Sequence, residues 1–86
     1  MIPGKADSWF LYLLGCRDGS LYTGVTTDVP RRLRQHESGK GGAYTRSRRP
    51  LRLLYQENHP DRSSALKREA QIKGWPPASK RRLAMQ

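Results

Sequence analysis

The 86-residue chain carries seventeen lysines and arginines against seven acidic residues, a formal charge of +10. A chain this short buries only about 60 to 65% of its unfolded surface, which excludes a large core or a second catalytic unit. The cationic excess favours a polyanion: nucleic acid leads and an anionic membrane surface comes second, since no basic amphipathic helix with an aromatic face and no membrane-length apolar run is present.

Residues 1–7 read as a flexible leader, too short and too polar for a signal sequence, and residues 8–86 read as one domain. Ser8 to Cys16 is apolar on both faces, as the central strand of a covered sheet is. The lone Cys16 cannot form an internal disulfide and reads as a buried small residue in a reduced, cytoplasmic protein. Asp18-Gly19 then signals a hairpin into a second strand, Leu21 to Val25. The chain turns directly into a helix, with Thr27 and Asp28 as cap candidates and Pro30 in the first turn. On this helix Val29, Arg32, Leu33 and His36 follow the i, i+3, i+4, i+7 spacing and share one stripe. A cation on an inward stripe demands an anion, either a carboxylate or a bound phosphate. Gly39 is the expected stop.

Lys40 to Pro50 mixes glycines, hydroxyls and cations and reads as a flexible loop. Leu51 to Gln56 is the third strand, Glu57 to Pro60 a connector, and Asp61 or Ser63 the cap of a second helix with the stripe Ala65, Leu66, Glu69 and Ile72. Gly74 ends it, and Pro76-Pro77 opens a final helix from Ala78 to Met85. The expected fold class is α+β: a small three-stranded antiparallel sheet flanked by helices, in the order β-β-α-β-α-α.

Two expected helices thus place ionisable groups on apolar faces: Arg32 and His36 on the first, Glu69 on the second. A buried Arg32–Glu69 ion pair is one account of them. The hairpin brings Tyr12 and Tyr22 together on one face. Lys40, Arg46, Arg48 and Arg49 form a basic loop suited to a phosphate backbone, with Tyr44 free to stack on a base. Lys80, Arg81 and Arg82 read as a solvated helix face, and Trp9 and Trp75 as core or hydrophobic lid.

The pattern resembles the GIY-YIG nuclease superfamily. Its two hairpin tripeptides correspond to Phe10-Leu11-Tyr12 and Tyr22-Thr23-Gly24, with Arg32 and His36 at the superfamily's spacing downstream and Glu69 in the Ala65-Leu66-Lys67-Arg68-Glu69 context. Trp9-Phe10-Leu11-Tyr12, Gly42-Ala43-Tyr44-Thr45-Arg46 and Asp61-Arg62-Ser63 bring it closer to the small stand-alone YhbQ-like branch. Phe10 stands where the name-giving motif has glycine, Thr23 where it has isoleucine, and the asparagine of several active members has no counterpart.

The resemblance implies an endonuclease hydrolysing phosphodiester bonds of nucleic acid, with DNA favoured over RNA; a chain this small has little surface for reading a site, so cleavage is expected to be structure-directed or weakly specific unless a protein partner supplies targeting. It implies one divalent ion, Mg²⁺ or Mn²⁺, on Glu69. Arg32 would hold the scissile phosphate, Tyr22 would act as base, Tyr12 and His36 would position or assist it, and Gly24 would permit close packing beside the tyrosines. The alternatives are a nucleic-acid-binding module on the same scaffold with little or no cleavage, and a basic accessory protein of RNA or ribosomal particles.

Overall fold

The apolar run after Ser8 forms β1 (Trp9–Gly15) in the computed structural model, which describes residues 8–85. The expected leader, residues 1–7, lies outside the described residues, as does Gln86. Strand β1 is central, with β2 (Leu21–Thr26) and β3 (Arg52–His59) antiparallel on its two sides. Leu11, Leu13 and Leu14 are fully buried because both faces of the sheet are covered; each such side chain contributes about 1.5 to 3 kcal/mol.

The helices cover the two faces unequally. Tyr12, Leu14, Cys16 and Leu51 form one cluster, against which Tyr22 and Leu33 pack from β2 and α1 (Val29–Glu37). On the other face Leu11 meets Ile72 of α3 (Arg62–Lys73) and Leu83 of α4 (Pro77–Ala84), with Val25, Tyr55 and Trp75 around them. The element order matches the expected β-β-α-β-α-α plan, with one short helix added.

That addition corrects the flexible-loop reading of Lys40 to Pro50. The segment contains a helical turn, α2 (Ala43–Arg46), and buries Thr45 at 1% exposure. Its polar groups find internal partners: the amide of Arg46 donates to the carbonyl of Gly42, and that of Arg48 to Thr45. A second correction concerns Glu57 to Pro60, expected as a connector. Glu57 and His59 instead continue β3, opposite Leu11 and Trp9, because Glu57 is neutralised within the fold. Its carboxylate accepts from Tyr55 Oη at 2.5 Å, His59 Nε2 at 2.7 Å and Arg68 Nε at 2.9 Å.

Local signals set the element ends. Cys16 and Gly19 close the β1–β2 turn with a 2.9 Å amide-to-carbonyl bond, Gly19 taking φ of 87°, the geometry of a three-residue hairpin loop. This register sets Tyr12 opposite Gly24 and Leu14 opposite Tyr22, so both phenols face α1. Asp28 caps α1 by accepting from the Arg31 amide at 3.1 Å, and Asp61, rather than Ser63, caps α3 through Ser64. No described helix is long and apolar enough to cross a membrane.

Candidate active site

Glycine makes the first part of the site. Tyr12 lies directly over Gly24, its cross-strand partner, and a Cβ at Gly24 would fall 2.5 Å from the Tyr12 hydroxyl. Any side chain there would displace the phenol. Tyr12, 2% exposed, places its Oη 2.9 Å from His36 Nε2, and His36 Nδ1 lies 2.8 Å from Thr45 Oγ1. A neutral imidazole donates through one nitrogen and accepts through the other, so the three side chains form a directional chain of hydrogen bonds. Gly41 closes it: a Cβ there would run into the His36 ring and come within 2.8 Å of its Cα.

Burial sets the charge state of this chain. It raises the Tyr12 phenol above its ordinary value of 10.0, against the opposing influence of the nearby Arg32 guanidinium. Burial, followed by the Arg32 charge, lowers His36 below 6.5. At neutral pH the pair is therefore a phenol and a neutral imidazole.

Tyr22 marks the solvent end of the cluster. Half-buried, its ring centroid lies 5.1 Å from that of His36, 6.3 Å from Tyr12 and 6.0 Å from Tyr44. Arg32, also half-buried, donates from Nη1 to Gln35 Oε1 at 2.9 Å and from Nη2 to the carbonyl of Gly41 at 3.1 Å. Neither of these partners carries a negative charge to compensate the guanidinium. The charge of Glu69, on α3, contributes to the rise of the Tyr12 pKa, after burial and Tyr22.

The Arg32–Glu69 ion pair expected from the two stripes does not form. Arg32 is held by Gln35 and the Gly41 carbonyl, while Glu69 pairs with Lys73 one turn along α3 at 3.2 Å. Cation and anion remain separately available at the site. Among the described residues no group of three His, Cys, Asp or Glu side chains converges as metal ligands.

The basic loop divides in two. Tyr44, 41% exposed, carries the Arg48 guanidinium 3.9 Å above its ring, and Arg48 also pairs with Asp18 at 3.1 Å. Arg46 and Arg49 instead line a separate groove of about 400 Å³ with Arg17 and Glu37, where Arg49 donates to the carbonyls of Arg46 and Glu37. Lys40 is exposed beyond the end of α1. Only Tyr44 and Arg48 of this set adjoin the tyrosines. Sequence reading missed Thr45, Gly41 and Gln35, whose roles depend on long-range contacts; the glycine pair Gly41-Gly42 was the one available sign of a close approach.

The model of the GIY-YIG catalytic domain family matches residues 8–82. A UPF0213 protein of Cupriavidus pinatubonensis is 57% identical over 72 residues, covering 84% of this chain and 80% of that one. The solution NMR structure of the UPF0213 protein of Bacillus halodurans superposes with a TM-score of 0.58 at 42% identity, covering 91% of this chain and 83% of that one. A second NMR structure, of a protein from E. faecalis, gives a TM-score of 0.61 at 40% identity, covering 87% and 80%.

Proposed function

This chain belongs to the GIY-YIG family, whose domain is a nuclease-type catalytic domain, and on that premise we propose that it is a divalent-metal-dependent endonuclease acting on DNA. One observation carries the reading. Half-buried Tyr22 and a half-buried arginine with neutral partners stand at the solvent end of the buried Tyr12, His36 and Thr45 chain.

In-line attack on a phosphodiester requires a base for the water and a cation for the charge that develops on the phosphate. Arg32 supplies the cation: its guanidinium presents paired donors, and Gln35 and the Gly41 carbonyl hold it in place, so little reorganisation is needed when a phosphate arrives. Of the paired strand tyrosines, Tyr22 is the one with access to solvent and is assigned the base. Burial disfavours the Tyr12 phenolate, so Tyr12 is assigned, with His36, to position Tyr22. Thr45 fixes the imidazole from behind.

The donor set fits a hard cation of the Mg²⁺ type, which is commonly held by one or two carboxylates together with retained waters and substrate phosphate. Glu69 offers one carboxylate, paired with the exposed Lys73. When bound, such an ion supplies charge stabilisation to the leaving oxygen. A scaffold of this size has little surface for reading bases, so cleavage is structure-directed or weakly specific unless a protein partner supplies targeting. The unit responsible is residues 8–86 acting as one domain, in the cytoplasm.

The second reading, a nucleic-acid-binding module without cleavage, draws on the pairing of Glu69 with Lys73 and on Phe10 in place of glycine. One assay separates the two. Supercoiled plasmid and branched DNA are incubated with the protein in Mg²⁺, Mn²⁺ or EDTA, beside Glu69→Ala and Arg32→Ala. Metal-dependent nicking lost in both variants supports the nuclease. Salt-sensitive binding that survives both substitutions, with no nicking by the parent protein, supports the module.

A further inference from the structure

Next to the tyrosine cluster lies a cleft of about 380 Å³ built from three separate parts of the chain. Ser20 and Leu21 come from the β1–β2 turn and the start of β2, Tyr44 from α2, and Pro77, Lys80 and Arg81 from α4. Among the described residues the lining holds an aromatic plane, two cations, apolar surface and no acid. Read from the sequence, Lys80 and Arg81 formed a solvated helix face. In the fold Arg81 and Arg82 are exposed, in keeping with that reading, while Lys80 and Arg81 also line this cleft, and Arg81 donates to the Gly19 carbonyl, tying α4 to the hairpin turn.

Tyr44 is set in advance of any ligand. Arg48 lies over its ring, donates to its carbonyl at 2.8 Å and is itself anchored by Asp18. A side chain so held loses little freedom on binding. The ring lies 6.0 Å from that of Tyr22, so an occupant of the cleft sits beside the proposed reaction centre.

An aromatic plane beside cations is the chemistry that takes a base and its phosphate. The volume suits a small ligand rather than a helix. Inside a duplex both faces of each base are covered by its neighbours, so only a base that has left the stack can lie on Tyr44. We propose that this cleft takes one unpaired nucleotide of the DNA strand, its base on Tyr44 and its phosphate on Lys80 and Arg81. Resting on the nuclease reading, this makes the preferred substrate a strand at a junction between paired and unpaired DNA.

Binding is measured in EDTA, so that no cutting is needed, by fluorescence anisotropy with a single strand, a blunt hairpin and a fork of equal length. A 2-aminopurine at the first unpaired position of the fork reports stacking. The fork and single strand bind about tenfold or more tighter than the hairpin, and the 2-aminopurine emission is quenched. Tyr44→Ala abolishes the quenching and most of the preference, while Tyr44→Phe retains both. Lys80→Ala, on a different helix, weakens fork binding and flattens its salt dependence by about one released counterion, leaving the hairpin little changed; this variant decides the matter should Tyr44→Ala not fold. Equal affinity for fork and hairpin, or equal losses on both in the variants, overturns the proposal. Glu69-dependent nicking without fork preference sinks the cleft alone. Fork preference without nicking supports the cleft and sinks the nuclease.

Discussion

Two histidines sit in two polar networks of opposite character. His36 is fully buried between two neutral hydroxyls, Tyr12 and Thr45, and the nearby cation, Arg32, has neutral partners. His59 lies between Ser64 and the carboxylate of Glu57, which also receives Arg68 and Tyr55. The second network satisfies its own charge and fastens β3 to α3. The first leaves a positive charge uncompensated beside a prealigned phenol, which is the arrangement a binding or catalytic site requires and a structural joint does not.

The two arginines break this comparison most sharply. On the nuclease reading, Arg32→Ala lowers cleavage by about 10²- to 10³-fold, the loss typical of one transition-state donor, and costs about 1–2 kcal/mol of stability, since it strips charged hydrogen bonds from Gln35 and the Gly41 carbonyl. Arg68→Ala leaves cleavage near the parental rate and costs about 1–2 kcal/mol of stability, since it strips a charged hydrogen bond from Glu57. Plasmid nicking and urea unfolding of both variants check the contrast; equal activity losses would erase it.

Next in size is Gly41→Ala. The added methyl meets the His36 ring and backbone together, so neither can yield independently. The expected loss is about 2–3 kcal/mol by urea unfolding, accompanied by reduced cleavage because Thr45 and the Arg32 anchor move with it.

Smaller effects separate the networks by pH. Burial, then Arg32, depresses the His36 pKa, so the folded state releases a proton that the unfolded chain holds. Stability from this source is complete above about pH 6.5 and is lost as pH falls through the lower folded value. For Glu57, burial alone would raise the pKa, yet the hydrogen bonds from Tyr55, His59 and Arg68 together outweigh it and leave it below 4.5. Its contribution is complete above about pH 4.5 and disappears below that. Urea midpoints across pH for His36→Gln and Glu57→Gln therefore flatten two different windows, the first below pH 6.5 and the second below 4.5.

The smallest effect carries the opposite sign. Thr23 is 3% exposed and its Oγ1 has no hydrogen-bond partner among the described residues. Thr23→Val removes a desolvated hydroxyl at constant shape and stabilises the fold by about 1 kcal/mol. Calorimetric melting checks this, and an unchanged or lower melting temperature would show that the hydroxyl has a partner after all.

Much of the fold was legible because its signals are local. The two-sided apolar run of β1, the Asp18-Gly19 hairpin, the Asp28 cap and the stripe from Val29 to His36 each reside in a few consecutive residues. The misreadings at Lys40 to Pro50 and at Glu57 to Pro60 share one cause. Both segments are polar, and polar residues remain ordered only when partners elsewhere in the chain satisfy them: His36 for Thr45, Asp18 for Arg48, and Arg68 for Glu57.

The same division holds for the candidate site. Sequence by itself determined which side chains share a face, since hairpin register and helical spacing put Tyr12 with Tyr22 and Arg32 with His36. Tertiary structure alone decided how they are joined and charged: Thr45 and Gly41 packed on the imidazole, Glu69 bound to Lys73 instead of Arg32, and α4 brought against the hairpin turn beside Tyr44. Spacing along a chain sets direction, but hydrogen bonds and pKa values depend on distance and burial, which only the packed fold defines.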